Sequence, residues 1–503
     1  MTSPTSCQIL ARARAAQPAW AALSVSRRCA ILAAIRLEIA RQSLDIAKLI
    51  ADETTKPVLD ALSGDVLVTL EQMRYYETHA GKILRRRRVS KSSLFYFGAR
   101  FEEFFEPHGV ALVIGPSNYP FQLCLLPLIT ALIAGNAVVL KCSERTPRTA
   151  AIIAGLCAGA HLPAGLVQVL HGEAAQSASL IDAQPDFIFF TGSSRNGLQV
   201  AEHAARQLIP TILELGGKDA SLVFADCNLD RAIEGIAYGA FSNAGRVCVS
   251  IKRAYVETSI YEIFLNRLKE RMGNLRVDAS ADADVFPLPE HALADFRAHI
   301  EDALTRGASL HSPQASSTMA GCPVLLTDVP AQARILTEEC FGPALCVAPF
   351  RDEAEAIALA NSGPFALGSS LWTRDLARAR RIACRLNAGS CAINDVIRNI
   401  ANPYAAFGGN KLSGYGRYHG PDGLRSLSRV KTVMIACDRR NREINWFPFA
   451  NRTVNRLTAL IRFRHGMTSL AARLCRTARP LLLIAAIPIA LVANCALSPR
   501  TMF

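Results

Sequence analysis

The sequence lacks any metal-binding arrangement of cysteine, although cysteine itself is common. None of the fifteen cysteines forms a C-x-x-C pair, and none joins histidines at zinc-ligand spacing. No metal site is therefore predicted. Most cysteines stand singly within apolar runs, as Cys124, Cys157 and Cys384 do. Cysteine in such a run behaves as a small buried hydrophobe, and we expect free thiols in a reducing compartment.

The N-terminal stretch also lacks a long apolar run, and no secretory leader is predicted. The N-terminal stretch MTSPTSCQILARARAAQPAW has no long apolar core before a small-residue cleavage site. Together with the scattered cysteines, this predicts a cytoplasmic location.

Acidic residues are scarce at the C-terminal end. Residues 438–503 contain eleven arginines, no lysine and only Asp438 and Glu443 as acids, so they carry +9 of the net charge of +14. The rest of the chain is only mildly basic. A nucleic-acid groove would spread its positive charge over a folded face, so no nucleic-acid partner is predicted.

The C-terminal tail, residues 438–503, has two further features. Residues 481–497 form a run of 17 residues without charge. As a helix this run would measure about 26 Å, slightly short of the roughly 30 Å hydrocarbon core of a membrane. Upstream, arginines alternate with apolar residues over 452–476 in a basic amphipathic pattern. We predict attachment to the cytoplasmic face of a membrane, while spanning, lying on the surface and folding back onto the body all remain open.

The usual G-x-G-x-x-G nucleotide motif is absent, but the strand pattern of a nucleotide-binding fold is present. Short apolar strands alternate with helices over the predicted strands 110–114, 137–140, 166–170 and 187–190. Polar or glycine-rich residues follow each strand, where a parallel sheet binds its ligands. The prediction is an α/β fold with a Rossmann-like domain.

Other segments surround this domain. Helical periodicity covers residues 22–80, and an arginine run at 85–88 is predicted to be a solvated or interface loop. A second α/β unit is predicted from about 216 to 412. Its predicted strands are 220–224, 254–256, 346–349 and 390–393.

Several short stretches carry reactive or polar side chains in a definite order. They are GPSNYP (115–120), GNAVVLKCSERTP (135–147), FTGSSRNG (190–197), LELGGK (213–218), NAGRVC (243–248), EECFGP (338–343) and FGGNKLSGYGRYHG (407–420). Taken together, they resemble the aldehyde dehydrogenase superfamily over about residues 20–437. The YHG ending and the WFPF stretch near Trp446 look most like the branch that oxidises fatty and aromatic aldehydes.

The resemblance implies a covalent mechanism. Cys248 matches the nucleophile that forms a thiohemiacetal and then a thioester with the aldehyde. Asn118 matches the side-chain donor to the oxyanion, and Glu214 matches the base that activates water for hydrolysis. Members that pass the acyl group to coenzyme A generally lack that glutamate. An acylating enzyme using coenzyme A and an inactive membrane-associated scaffold are the alternatives.

The resemblance also implies an NAD(P) site. Lys141 and Glu144 would meet the adenosine ribose, Gly192 and Ser193 the pyrophosphate, and Glu339 the nicotinamide ribose. The remaining predicted cofactor contacts are Ser143, Gly197, Leu215 and Phe341. A carboxylate at Glu144 would repel a 2′-phosphate, so NAD is predicted, with NADP as the alternative. Lys141 as a plain surface charge is the competing interpretation.

The sequence departs from the family pattern near the site. Arg246 stands where glutamine is usual, and it either favours the thiolate or turns outward. Ser117 replaces the common aromatic residue before the oxyanion-binding asparagine, which leaves the pocket width open.

The predicted domain organisation has four parts. Residues 1–89 with 108–216 bind NAD, and 217–412 form the catalytic domain. Residues 90–107 and 427–437 are arms that would join two subunits as a homodimer, and 438–503 are the tail.

Overall fold

The computed structural model describes most of the chain outside the C-terminal end. The described residues are 5–90, 96, 98–280, 283–312, 321–436, 441–443 and 445–465. The chain forms two compact units, Met1–Ser90 with Phe101–Val433 and Lys91–Arg100 with Met434–Phe503. The apolar run at 481–497 lies outside the described residues.

The helices of the described part are numbered in chain order. They are α1 (Ser6–Ala21), α2 (Val25–Arg41), α3 (Ser43–Thr54), α4 (Val58–Asp60), α5 (Val68–Ile83), α6 (Pro120–Ala134), α7 (Pro147–Gly159), α8 (Ala174–Asp182), α9 (Ser194–Ala205), α10 (Leu229–Phe241), α11 (Tyr261–Gly273), α12 (Glu290–Thr305), α13 (Arg334–Thr337), α14 (Glu353–Asn361), α15 (Leu376–Ala383), α16 (Gly420–Ser426) and α17 (Asn451–His465). A π-helical segment, Ala61–Leu67, joins α4 to α5. Within the described residues, no helix is both long and apolar enough to span a membrane.

The strands are numbered in the same way. They are β1 (Arg87–Val89), β2 (Arg100–Pro107), β3 (Val110–Ile114), β4 (Ala137–Cys142), β5 (Val167–His171), β6 (Phe187–Thr191), β7 (Thr211–Glu214), β8 (Asp219–Val223), β9 (Ile251–Glu257), β10 (Ser309–His311), β11 (Val324–Thr327), β12 (Ala344–Phe350), β13 (Phe365–Ala366), β14 (Gly368–Trp372), β15 (Ser390–Ile393), β16 (Asn410–Lys411), β17 (Gly414–Tyr415) and β18 (Ser428–Ile435).

The first large sheet has the order β17-β7-β6-β3-β4-β5. Its strands run parallel except β17, which pairs antiparallel with β7. The predicted strands and their α/β alternation are confirmed. Strand β17 comes from residues 414–415, beyond the predicted 108–216 segment, because the chain returns to this sheet after completing the second one. Helix α6 is buried along its whole length, which explains its continuous apolar sequence.

The second large sheet has the order β10-β11-β12-β9-β8-β14-β15. Only β10 is antiparallel to its neighbour. The four predicted strands are confirmed, although β9 and β12 extend beyond their predicted ends. The chain passes from the first sheet to the second between β7 and β8, through Leu215–Lys218.

Three predictions about smaller segments need correction. The N-terminal helices begin at Ser6 rather than at 22, because Thr5 and Gln8 form a capping box before α1. Only the first half of the arginine run, residues 85–86, is a loop: Arg87–Val89 is strand β1, in a small sheet of order β1-β2-β18, and the arginine side chains are exposed as predicted. Cys384 is exposed, whereas Cys124 and Cys157 are buried as predicted.

Candidate active site

A cleft of about 720 Å³ opens at the carboxyl ends of the first sheet's parallel strands. This is the edge at which parallel sheets bind ligands. Eleven of the twelve predicted site residues line it: Asn118, Lys141, Ser143, Glu144, Gly192, Ser193, Glu214, Leu215, Cys248, Glu339 and Phe341. The twelfth, Gly197, is not among the lining residues. It lies in α9, where a Cβ would come within 2.3 Å of Leu215 Cδ2, so its small size lets the helix pack under Leu215.

Cys248 is placed by a tight turn between α10 and β9. In this turn Asn243, Ala244 and Gly245 all have positive φ. The thiol is partly exposed in the cleft. Burial, followed by the charges of Asp219, Glu214 and Glu339, raises the pKa of Cys248 to about 12. The thiol is therefore protonated at neutral pH in this state, and a nucleophilic role requires a proton acceptor nearby.

Asn118 joins the loop after β3 to the turn before Cys248. Its Nδ2 donates to the Arg246 carbonyl at 3.1 Å. Its own carbonyl accepts from Lys56 Nζ at 2.8 Å and from Asn243 Nδ2 at 3.3 Å. The Lys56 ammonium in turn pairs with Asp65 at 2.9 Å, with both side chains fully buried. Hydrogen bonds to both the side chain and the backbone therefore fix the position of Asn118.

Glu214 is the last residue of β7 and is only 4% exposed. Neither carboxylate oxygen has a hydrogen-bond partner among the described residues. Burial raises its pKa well above the ordinary value, with Arg417 opposing the effect. A carboxyl group whose pKa is raised by burial binds a proton more readily, a property shared by many general bases and acids in enzymes.

The cleft is also lined by two charged residues, Lys141 and Glu144, and by the N-terminus of helix α9. Lys141 is only 4% exposed and its Nζ lies 3.4 Å from Glu144, whose side chain is half exposed. The interpretation of Lys141 as a plain surface charge is wrong. Ser193 caps α9 by accepting a hydrogen bond from the Asn196 N–H at 3.3 Å. The N-terminus of α9 thus directs its positive dipole end toward the cleft, where an anion is favoured.

Comparison with known proteins shows the family of this chain. The model of the aldehyde dehydrogenase family matches residues 3–433. The chain belongs to the aldehyde dehydrogenase family. It is 40% identical over 467 residues to the 4,4'-diapolycopene aldehyde oxidase of a Methylomonas species, covering 93% of this chain and 88% of that protein.

Solved structures agree with this assignment. An NAD-dependent aldehyde dehydrogenase from Sinorhizobium meliloti has a TM-score of 0.82 and 30% identity, covering 88% of each chain. An NADP-dependent enzyme from E. coli has a TM-score of 0.81 and 32% identity, covering 86% of this chain and 90% of that one. The predicted family, the α/β fold and the enzymatic nature of the chain are confirmed, and the protein is an NAD(P)-dependent dehydrogenase that oxidises aldehydes.

In this aldehyde dehydrogenase, the partly exposed Glu339 interacts electrostatically with two buried lysines. Burial raises the pKa of Glu339 to about 7, with Lys218 and Lys252 opposing the effect. Lys252 Nζ donates to the Gly245 and Gly342 carbonyls at 2.8 and 2.6 Å. These lysines were not singled out from the sequence, although Lys218 ends the LELGGK stretch. The two lysines therefore favour the negatively charged form of the Glu339 carboxyl group.

Arg246 follows neither of the two expectations for it. It is only 7% exposed, so it does not turn outward, and it is not among the charges that shift the pKa of Cys248. Its guanidinium donates instead to backbone carbonyls at the end of α3 and to Asn243. Burial lowers its pKa to about 10, so it remains a cation at neutral pH.

Two aromatic residues complete the wall near Cys248. Phe407 and Tyr418 both line the cleft, with ring centroids 5.6 Å apart in an edge-to-face arrangement. Burial raises the pKa of Tyr418 well above its ordinary value, and the charges of Glu214 and Cys248 add to this shift. The YHG ending was the signal in the sequence that could have placed Tyr418 in the site.

Proposed function

We propose that this enzyme oxidises an aldehyde to the carboxylic acid, with Cys248 as the nucleophile, Asn118 as a donor to the carbonyl oxygen and Glu214 as the base. One observation carries the proposal: the Glu214 carboxylate is buried in the cleft that also holds the Cys248 thiol, and it has no hydrogen-bond partner in the part of the chain that the structure describes. An unsatisfied buried carboxylate costs stability. Groups of this kind are typical of sites that transfer protons.

The first chemical step is addition of the thiolate. Once the thiol proton has passed to solvent water, Cys248 Sγ forms a bond to the aldehyde carbon, and the carbonyl electron pair moves onto oxygen. The Asn118 amide and the Cys248 backbone N–H are the proposed donors to this oxyanion. Losing one such donor typically costs about 10²–10³ in rate. Loss of hydride from the adduct then restores the carbonyl and leaves a thioester on Cys248.

Hydrolysis of the thioester is the proposed task of Glu214. The carboxylate takes a proton from water as the water oxygen bonds to the thioester carbon. The carbon–sulfur bond then breaks and releases the acid and the thiolate. Burial raises the pKa of Glu214, which makes its carboxylate a stronger base toward water. An enzyme that transferred its acyl group to coenzyme A would not need this base, so hydrolysis is favoured over that alternative.

The residues of the cleft fit NAD(P), which supplies the hydride acceptor when bound. A Cβ at Gly192 would come within 2.6 Å of the Phe190 ring, so a larger residue does not fit there. Without a side chain at Gly192, pyrophosphate can approach the backbone between β6 and α9 closely. We assign Lys141 and Glu144 to the adenosine ribose, with Ser143 and Leu215 lining the same cleft. Glu339 and Phe341 are assigned to the nicotinamide end. The Glu144 carboxylate favours NAD over NADP.

The assignment of domains follows from the two large sheets. We propose that residues 1–89 and 108–216 bind the nucleotide and that 217–412 form the catalytic domain. Strand β17 adds residues 414–415 to the nucleotide-binding sheet. The sheet β1-β2-β18 corresponds to the proposed arms, and Val430 on β18 is 54% exposed. Met434 and Ile435 on the same edge strand are 54% and 48% exposed, and several exposed apolar residues on an edge strand suit pairing with a second copy, so a homodimer is proposed.

The proposed substrate is an apolar aldehyde, either long-chain or aromatic. The support comes from the Methylomonas relative, whose name denotes oxidation of a diapolycopene aldehyde. Such substrates partition into lipid. Helix α17 exposes Arg452, Arg456 and Arg462, a charge pattern suited to an anionic membrane surface. We therefore propose that the enzyme works at the cytoplasmic face of a membrane.

Rapid mixing of the enzyme with NAD and decanal tests the reaction. We expect a burst of NADH, then steady release of decanoic acid that coenzyme A does not accelerate. Glu214→Gln should keep the burst but slow the steady phase by about 10²–10⁴-fold, because it cannot accept the proton from water. Cys248→Ser should show no burst. Unchanged activity in Cys248→Ser would exclude the covalent mechanism.

A further inference from the structure

The Arg246 side chain holds the end of a helix that is distant in the sequence. Its Nη2 donates to the Thr54 carbonyl at 2.9 Å and to the Thr55 carbonyl at 2.7 Å. Thr54 is the last residue of α3, and Thr55 is its left-handed C-cap. Carbonyls at a helix C-terminus lack partners within the helix and attract cations. The guanidinium therefore satisfies acceptors that α3 cannot satisfy by itself.

Arg246 is also connected by hydrogen bonds to Asn118, directly through its backbone carbonyl and indirectly through Asn243. Its carbonyl accepts from Asn118 Nδ2 at 3.1 Å. Its guanidinium donates to Asn243 Oδ1 at 2.8 Å, and the Asn243 amide donates to the Asn118 carbonyl at 3.3 Å. Cys248 follows two residues later in the chain. One residue thus contacts the helix end, the Asn118 loop and the turn that carries the thiol.

We infer that Arg246 is a positioning residue that holds Asn118 and Cys248 in their relative places by anchoring the turn 243–246 to the C-terminus of α3. The inference rests on the proposed roles of Asn118 and Cys248. The anchor is a cation bonded to neutral carbonyls and one amide, in a site that is 7% exposed. Burying a charge costs free energy, and the hydrogen bonds of the guanidinium offset part of that cost while they hold the turn before the thiol in place. A shift of about 1 Å in reacting groups can cost about 10²-fold in rate.

A matched control exists in the same chain. Arg28 is 6% exposed, and its guanidinium also donates to backbone carbonyls, those of Ala21, Leu23 and Ile133. None of these residues lines the cleft. Arg246→Met and Arg28→Met therefore remove comparable buried anchors, one beside the thiol and one away from it, because methionine has no N–H donor for these carbonyls. Arg246→Lys keeps a cation and serves as the conservative variant.

The experiment compares kcat, the KM for aldehyde and NADH binding in the full-length variants, with Cys248→Ser alongside. We expect Arg246→Met to lower kcat by about 10–100-fold, with NADH affinity within about twofold of the unaltered protein. Arg246→Lys should recover at least part of kcat. Arg28→Met should lower the thermal midpoint while leaving kcat nearly unchanged.

The outcomes separate the two ideas. Full kcat in Arg246→Met, with Cys248→Ser inactive, would overturn the positioning role and leave the proposed function standing. An equal fall in kcat in both methionine variants would also overturn it, because the effect would then be general loss of stability. Activity in Cys248→Ser would defeat the proposed function itself. If Arg246→Met fails to bind NADH, Arg246→Lys is compared with Arg28→Lys instead. A lower kcat in Arg246→Lys alone supports the inference, and equal kcat in the two lysine variants overturns it.

Discussion

At the scale of the residue, the protonation state of Cys248 controls the chemistry. Its pKa is raised to about 12, first by burial and then by three carboxylates. Below that pKa, the thiolate fraction grows about tenfold with each pH unit. We therefore predict that alkylation of Cys248 by iodoacetamide, without nucleotide, accelerates steeply from pH 7 to 9. Mass spectrometry of the Cys248 peptide measures this rate separately from those of the exposed Cys7 and Cys384. A rate that levels off between pH 7 and 8 would contradict it.

Glu144 is the residue on which nucleotide preference is predicted to depend. Two unit charges about 4 Å apart interact by about 1 kcal/mol in water, so removing a carboxylate beside a 2′-phosphate has a modest effect. We expect Glu144→Gln to raise the ratio of kcat/KM for NADP to that for NAD by about fivefold. Glu234→Gln is the control, because Glu234 is also exposed and paired with a cation, Arg271. A ratio that moves equally in both variants would exclude the assignment.

At the scale of the element, the connection between β7 and β8 joins the two large sheets at the cleft. A Cβ at Gly216 would lie 2.2 Å from the Glu339 carboxyl carbon, closer than any real contact. We predict that Gly216→Ala displaces Glu339 and raises the KM for NAD by about tenfold or more, since the position of the nicotinamide end depends on that carboxylate. Steady-state kinetics with varied NAD measures the change.

Gly155→Ala provides the matched control for this prediction. Gly155 lies in α7, and a Cβ there meets no atom within 4 Å. Alanine is the better helix former, so this variant should gain up to about 1 kcal/mol of stability and keep its KM for NAD. A normal KM in Gly216→Ala would show that Glu339 is not required for nucleotide binding.

At the scale of the whole molecule, the concentration of arginine in the tail predicts an electrostatic part in membrane binding. Each arginine near an anionic surface contributes about 1 kcal/mol. Replacing Arg452, Arg456 and Arg462 of α17 by glutamine should then weaken binding to phosphatidylserine vesicles by about 10²-fold. Co-sedimentation of the full chain measures the affinity, and added salt should weaken it as well. Equal binding to neutral and anionic vesicles would show that charge has no part in it.

The ordered motifs by themselves determined the family, the α/β fold and which cysteine among fifteen lines the cleft. The family and the fold can be predicted from the sequence because a motif consists of particular residue types in a fixed order, and because a buried parallel strand is almost entirely apolar. Helix starts were harder to place, since the N-terminal capping box of Thr5 and Gln8 was not read as a start.

Only the tertiary structure decided the environment of the reactive groups. Arg246 turns inward to the end of α3, whose carbonyls lie nearly two hundred residues earlier in the chain, and no local pattern records that contact. The unpartnered state of Glu214 and the raised pKa of Cys248 likewise arise where the ends of two sheets meet. Burial and hydrogen bonding depend on what surrounds a side chain in space, so the sequence named the residues at this site while the fold set their protonation and placement.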